Sequence, residues 1–531
     1  MLHQLKTHTQ AYWQNEFATS HEDLEFIYSL LIESGTPLTT TQIAQALIDQ
    51  RLDSEINQIK ANLRRGKPYQ PQGIYKVGDG LVFPALDVRY GSVVGERPGY
   101  NPEYGDFTVI EVRFEDENTT HEFASSLTAA HKLNFGYSPD SVFADLASTS
   151  SEEVFASYGP LIELKLAEDL QRADSLDFIR FGNSWYLKGL LADVHIGHRN
   201  VVEAILDVNG SPLAPEAILE QVDLPPEISP SAQLFSLNYA LQQDERFDDV
   251  GTDEQVLWFL KRLEPPEAQY PPRRLLAAVD SYDRSVLTED LLRLERELDD
   301  ELSSIEWTTS EILDLHTASL LLTYPHYRTG TIPLTNRTKQ IFPKGSTQHT
   351  RVALVDSQTG DRIPGWVAHT HGYVCGLDKW YADNNILVGS YITLEKTDDP
   401  FKVLINFIPK REKREWIRVA KSDGSKLLFE MKKQPCKCEY DELLVVGEDG
   451  TKEIDRLWIR SEVDGVEITA ILRDVFLELA KLSPQGTVHA KTLYSAANIV
   501  RRCPPGLVFA ALLENPSFAT VGDGYWLYNE S

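Results

Sequence analysis

The chain has 531 residues, of which 42% are hydrophobic and 25% charged, and its 80 Asp and Glu against 51 Lys and Arg give a net charge of -29. That length exceeds what one hydrophobic core organises, so about three to five domains are expected, and the anionic balance opposes indiscriminate binding to nucleic acid or anionic membrane. No apolar run approaches the roughly 20 residues that span a bilayer, and the opening MLHQLKTHTQAYWQNEF lacks the apolar stretch of a signal peptide. Cys375, Cys436, Cys438 and Cys503 fit neither a disulfide framework nor a C-x-x-C zinc site. The expectation is a reduced, cytoplasmic protein without metal or cofactor, in which Cys436 and Cys438 are free surface thiols.

In chain order, Ser20 with Asp23 three residues on predicts a helix start. Leu24, Ile27, Tyr28 and Leu31 follow at helical spacing, and Gly35 ends the helix. TPLTTTQIAQALIDQ predicts a second helix capped within Thr39–Thr41. SEINQIKANLRRGK predicts a third, stopping before Pro68. GIYKVGDGLVFPA then reads as two strands joined by a Gly-Asp-Gly turn. Three helices and a hairpin make a winged helix-turn-helix over residues 1–85. The C-terminal ITAILRDVFLELAKLSPQG, TVHAKTLYSAANIVRRC, PPGLVFAALLENP and SFATVGDGYWLYNE repeat the order over 446–531, with a second VGDG at the wing. NVVEAILDVNGSPLAPEAILEQV opens a third copy over 191–264, with a degraded wing around Val250-Gly251. SLDFIRFGNSWYLKG reads as a further wing in a helical segment over 121–190 that holds a possible degenerate copy. Such recurrence decides the architecture.

These units, above all TPLTTTQIAQALI with GIYKVGDGLVF, resemble the HARE-HTH winged-helix family, which includes the N-terminal domain of the bacterial RNA polymerase delta subunit. The resemblance covers roughly 65 residues per copy. It implies contacts with nucleic acid or the transcription machinery, not catalysis. In that fold helix three usually enters the major groove. In the first copy Lys60, Arg64, Arg65 and Lys67 lie there, with Lys76 on the wing. The copy over 191–264 instead carries Asp244, Glu245, Asp248, Asp249, Asp253 and Glu254, which would repel phosphate and suit a protein partner.

Between the wings, the alternating residues of 86–120 predict a small β-barrel of SH3 or KOW type. Residues 265–320 read as a Pro-rich linker and a charged amphipathic helix. Residues 321–445 read as a basic β domain. Its strand-turn-strand, short helix LDKWYADNN and L-x-G-S hairpin resemble the double-split pseudobarrel of plant transcription factors and of some restriction endonucleases. Over 325–440 the chain holds 19 Lys and Arg against 12 Asp and Glu, a net +7, which leaves -36 for the rest. Arg328, Arg337, Lys339 and Lys344, with Lys410, Arg411, Lys413, Arg414 and Arg418 of PKREKREWIR, are the expected DNA contacts. Trp366, Trp380 and Tyr381 are expected in the core.

Two catalytic patterns are rejected. Pro139-Asp140 with Glu163-Leu164-Lys165 matches PD…ExK by letter, but both pieces read as helical, whereas that chemistry needs adjacent strands around Mg²⁺. His369-Thr370-His371 projects two imidazoles to one strand face, without a third ligand at convincing spacing.

The expected fold class is α+β, with several winged helix-turn-helix domains plus small β-barrel and pseudobarrel domains. The expected function is non-enzymatic DNA binding in transcription or DNA processing, with no membrane partner. The alternatives are an acidic adaptor that binds RNA polymerase or another protein without touching DNA, and the DNA-recognition subunit of a restriction or defence system.

Overall fold

The computed structural model describes residues 5–86, 88–115, 117, 119–134, 150–172, 177–277, 281–308, 315–345, 347–444 and 447–529, apart from the side chains of 62 and 63. Helices and sheets both contribute, so the class is α+β. The chain divides into two compact units, residues 1–196 with 223–240, and residues 197–222 with 241–531. The dividing line runs through the segment read as one acidic copy. No helix of the described residues is long and apolar enough to cross a membrane.

In the first unit, Ser20 and Asp23 form the reciprocal capping box that starts α1 (His21–Ser34), and Gly35 ends it in the left-handed conformation. After the short β1 (Leu38–Thr39), Thr39 and Gln42 form a second capping box at α2. α2 runs unbroken from Thr40 to Arg65, so the two helices expected here are one. The cause is visible in the residues. No Gly or Pro interrupts 40–65, Leu47, Ile48, Leu52 and Ile59 keep one face buried, and Arg51 is clamped across to the buried Asp23 at the point where a break was expected.

The third helix lies elsewhere. It is α3 (Ser151–Arg172), followed by β7 (Phe178–Phe181) and β8 (Ser184–Leu187). These strands form a three-stranded sheet of order β1-β8-β7. Trp185 sits opposite Leu38 and donates its indole N–H to Thr40 Oγ1 at 3.0 Å. One core joins Ile27 and Leu31 of α1, Ile43 and Leu47 of α2, Ile162 and Leu166 of α3, and Trp185 and Leu187 of β8. The hairpin with Gly182-Asn183 at its turn therefore completes the first helical unit and does not belong to a separate copy.

Between α2 and α3 the chain inserts a five-stranded sheet, β2 (Lys67–Pro68), β3 (Gly80–Phe83), β4 (Arg89–Asn101), β5 (Gly105–Phe114) and β6 (Thr120–Ser125), in sequential order. Tyr69, Tyr75, Phe83, Ile110 and Phe114 fill its concave side. The backbone N–H groups of Ser126 and Leu127 return to the carbonyls of Gly73 and Pro71, each at 2.9 Å, which curls the sheet on itself. The first VGDG is thus not a hairpin tip. Asp79 N donates to Lys76 O at 2.9 Å around Gly78 at φ +97°, a turn that leads into β3. β3 pairs with β2 and β4, and residues 69–79, between β2 and β3, are not in a strand.

In the second unit, α4 (Ile196–Asn209), the single bridge Leu213↔Trp258, α5 (Pro215–Leu219), α6 (Pro230–Gln242), β9 (Phe247–Asp249) and β10 (Trp258–Leu260) follow in chain order, α6 lying mostly in the first unit. α7 (Glu289–Leu298) buries Leu291, Leu294 and Leu298, and also Glu295. A seven-stranded sheet then has the order β11-β16-β17-β13-β14-β15-β12. These strands are β11 (Thr317–Leu321), β12 (Thr331–Pro333), β13 (His349–Asp356), β14 (Arg362–Ala368), β15 (Tyr373–Cys375), β16 (Tyr391–Lys396) and β17 (Lys402–Phe407). β13 and β17 pair in parallel, and every other pairing is antiparallel. α8 (Tyr324–Thr329) precedes β12, and α9 (Asp378–Asp383) is the short helix expected at LDKWYADNN. Trp366, Trp380 and Tyr381 are buried, as their apolar surroundings predict.

A long hairpin, β18 (Pro409–Ser422) with β19 (Leu427–Cys438), carries the short parallel β20 (Gly447–Asp449) on its edge. α10 (Thr451–Asp464) leads to a C-terminal group of α11 (Ile468–Ala480), β21 (Val488–His489), α12 (Ala490–Val500), α13 (Pro505–Glu514), β22 (Phe518–Gly522) and β23 (Tyr525–Tyr528), with sheet order β21-β23-β22. Here VGDG is a true hairpin tip. Asp523 and Gly524 both have positive φ, at 50° and 76°, between the paired Gly522 and Tyr525, the backbone that right-twisted strands favour.

One buried ionic cluster ties this unit together. Arg502 is fully buried and forks onto Asp300 with two bonds of 2.7 Å, and its Nη2 also reaches Glu301 at 2.6 Å. The hydroxyl of Tyr494 donates to Asp300, and His326 bridges Glu301 and Thr331. Burial alone would raise the Glu301 carboxyl, but Arg502 and His326 outweigh it and hold it well below the usual range.

Two predictions follow from this packing. Arg502→Ala leaves two buried carboxylates without their cation and should cost about 3–5 kcal/mol, whereas Arg473→Ala, whose partner Asp474 is exposed, should change stability by less than about 1 kcal/mol; urea unfolding measures both. His489 accepts the Lys491 N–H at the start of α12, and burial, then Lys491, pushes its imidazole down to about 4. The unfolded chain takes up that proton near pH 6.5, so stability present above pH 6.5 should be lost as pH falls towards 4. His489→Asn should flatten that part of the pH–stability curve.

Candidate nucleic-acid interface

The β18–β19 hairpin turns at Asp423-Gly424-Ser425. The Asp423 carboxylate accepts the Ser425 hydroxyl and the backbone N–H groups of Ser425 and Lys426, and these bonds, the hydroxyl's first, hold it down to about 2. Between Pro409 and Cys438 the hairpin contains ten Lys and Arg and four Asp and Glu. Alternation sorts them into two faces. Ile417 and Val419 turn inward with Cys436 and Cys438. Both thiols are therefore buried, not on the surface as the sequence suggested. Arg414, Trp416 and Arg418 turn outward, opposite Pro435, Lys433 and Met431. Trp416 is 63% exposed and Met431 43% exposed. Arg414, Trp416, Arg418, Lys433 and Met431, with Glu415, Tyr440 and Glu442, line a groove of about 400 Å³.

Within this strand the cations differ. Lys410 and Lys413 both reach Glu415, at 3.0 and 2.8 Å, and Tyr440 donates to the same carboxylate at 3.1 Å. Lys413, then Lys410, hold Glu415 down to about 2, so its charge persists at neutral pH. Arg418 is partly buried and donates to the carbonyls of Glu442 and Leu444. Arg411 and Arg414 are exposed and have no carboxylate partner among the described residues. Further along, Lys421 pairs with Glu430, Lys426 with Glu478 and Lys432 with Asp449.

The other expected contacts lie on separate elements. Lys60, Arg64 and Arg65 sit on the last turns of α2, and Lys67 on β2, so they do not form a third helix. Arg65 is paired bidentately with Glu115 and stacks on Tyr90, and Lys67 lies 3.8 Å from Asp79. Arg64 and Lys76 are exposed, and Lys60 is partly so. The helix that completes this unit, α3, is rich in acids: Glu152, Glu153, Glu163, Glu168 and Asp169. Arg328 is spent on Glu448 at 3.4 Å and Asp455 at 3.0 Å. Arg337 covers the Trp307 ring, Lys339 bonds Asn336, and Lys344 is exposed on a loop.

Of the two rejected catalytic patterns, the described residues place Glu163 and Lys165 on α3 and the two histidines in a turn. Pro139 and Asp140 lie outside the described residues. Glu163 accepts from Thr41, and Lys165 donates to the carbonyls of Trp13, Gln14 and Phe17. His369 and His371 occupy the turn between β14 and β15, not a strand. His369 bonds Thr350, and His371 stacks on Tyr373.

The sequence reading passed over Trp416 and Lys433. The signal was present, since Arg414, Trp416 and Arg418 alternate along one strand face. What it lacked was the knowledge that Trp416 stays exposed on this face while Arg418 packs against residues 442–444. Compared with known proteins, the chain matches no family model, no curated protein and no solved structure.

Proposed function

We propose that the protein is a non-enzymatic DNA-binding protein whose contact surface is the outer face of the β18–β19 hairpin. The observation that carries this reading is the exposed indole of Trp416 set between Arg414 and Lys433, with Arg411 nearby along the strand, on a chain of net charge -29. Every base offers a π-face, so an exposed aromatic ring stacks with little regard to sequence and contributes about 1–3 kcal/mol per base. Arginines supply phosphate contacts, and the acidic remainder of the chain disfavours other orientations. The same reading takes α1-β1-α2 with α3-β7-β8, and α11 to β23, as winged-helix units, because each places its first short strand beside the last strand of a hairpin. It takes the seven-stranded sheet as the pseudobarrel. With Arg65, Lys67 and Arg328 ion-paired, the first unit and α8 serve as support and not as the DNA surface.

A second reading has its own observation. The carboxylates on Lys410, Lys413, Arg65 and Arg328 neutralise much of the charge that favoured DNA, as in an acidic adaptor that binds RNA polymerase or another basic protein.

Polarisation of fluorescent single- and double-stranded DNA, titrated across salt, separates the two. Trp416→Ala should weaken binding about tenfold. Arg411→Ala with Arg414→Ala should reduce the salt slope by about 2. Glu415→Gln, which releases Lys410 and Lys413, should tighten binding. Binding that is insensitive to salt and to all three changes overturns the DNA reading, and capture of polymerase subunits after nuclease treatment would then favour the adaptor.

A further inference from the structure

A cluster unrelated to the hairpin lies where β9 meets β13. Among the described residues, Asp248 of β9, Glu264 just after β10 and His349 of β13 bring one carboxylate oxygen each and an imidazole nitrogen within 4.8 Å of one another. His349 Nε2 is 3.2 Å from Asp248 Oδ2 and 3.1 Å from Glu264 Oε2. One ring nitrogen carries at most one proton, so it cannot donate well to two carboxylates at once. The Glu264 side chain has no exposed surface, and its other oxygen, Oε1, has no hydrogen-bond partner among the described residues. A buried carboxylate oxygen left without a partner costs free energy that folds usually avoid.

A tetrahedral cation resolves both faults. Nitrogen and oxygen ligands at about 2.0–2.1 Å from zinc stand about 3.3–3.4 Å apart across a tetrahedron edge, close to the two separations observed. We propose that Asp248, Glu264 and His349 form a zinc site of His-carboxylate-carboxylate type, with water or Glu264 Oε1 as the remaining ligand. The cluster joins the β9–β10 hairpin to the large sheet, beside the backbone bond from Arg351 N to Val250 O at 3.0 Å and the bond from Thr350 Oγ1 to Gly251 O at 2.9 Å. Both sides lie within one compact unit. A cation there staples the hairpin of the acidic segment to the sheet. The role is structural, because the three ligands are buried or half-buried and no cleft for a substrate is needed. Carboxylate and imidazole ligands, without thiolate, suit zinc and related first-row divalent ions.

The test uses the full chain, stripped with a chelator and titrated with Co²⁺ and with Zn²⁺ against a chromogenic competitor. One equivalent should bind. The cobalt form should show the strong visible bands of four-coordination without near-ultraviolet thiolate charge transfer, and zinc should raise the thermal midpoint. His349→Gln and Glu264→Gln, checked for folding by circular dichroism, should each bind at least tenfold more weakly. Should either fail to fold, Asp248→Asn decides, because its side chain is 26% exposed. Substoichiometric binding, thiolate bands, or binding unchanged in the folded variants overturns the proposal.

Discussion

The second unit depends on one buried cation. Arg502 follows α12 and reaches back about two hundred residues in sequence to Asp300 and Glu301, just beyond α7. Burying a guanidinium is tolerable when its charge is matched, and the bidentate fork from Nη1 and Nη2 to Asp300 with a further bond to Glu301 does that, although Nε has no partner among the described residues. Glu301 then holds His326 of α8, whose other nitrogen meets Thr331 of β12. A single network thus fixes the C-terminal helices against the start of the large sheet. It also shows what the acids of LERELDDELSS do: Asp300 and Glu301 are the counter-charges of Arg502, Glu295 pairs with Arg284 and Glu297 with Lys491.

Local rules carried the sequence reading a long way. The caps at Ser20 and Thr39, the helix at 378–383, the hairpin β16–β17 and the order α11, α12, α13 and β22–β23 follow from residues within a few positions of one another, whereas α10 and β21 were not anticipated. Non-local facts were not legible. The lack of Gly and Pro over 40–65 permits α2 to continue past residue 54, but the clamp on Arg51 that holds it there comes from the distant Asp23. Nothing near residue 66 announces that a five-stranded sheet interrupts a helical unit whose hairpin returns at 178–187. The two VGDG turns show the limit most simply. The same four letters make a hairpin tip where strands flank both sides, and a different turn where only one does.

The electrostatic expectation fared in the same way. A count of charge along the chain locates a basic island but cannot see partners brought in from afar: Glu115 for Arg65, Glu448 and Asp455 for Arg328, Asp449 for Lys432. Folding consumes these cations. What survives on the hairpin is a smaller surface, Arg411 and Arg414 with the Trp416 ring and Lys433, beside the exposed Arg64, Lys76 and Lys344 elsewhere. The proposed DNA contact rests on this exposed ring and the cations beside it.

The most direct test is to locate the contact. DNA substituted with bromodeoxyuridine, irradiated with the intact protein and digested, yields crosslinked peptides that mass spectrometry assigns. The account predicts that the adducts concentrate on the peptide bearing Trp416. Adducts confined to α2, α3 or α13, or none at the concentration where DNA binds, would contradict it.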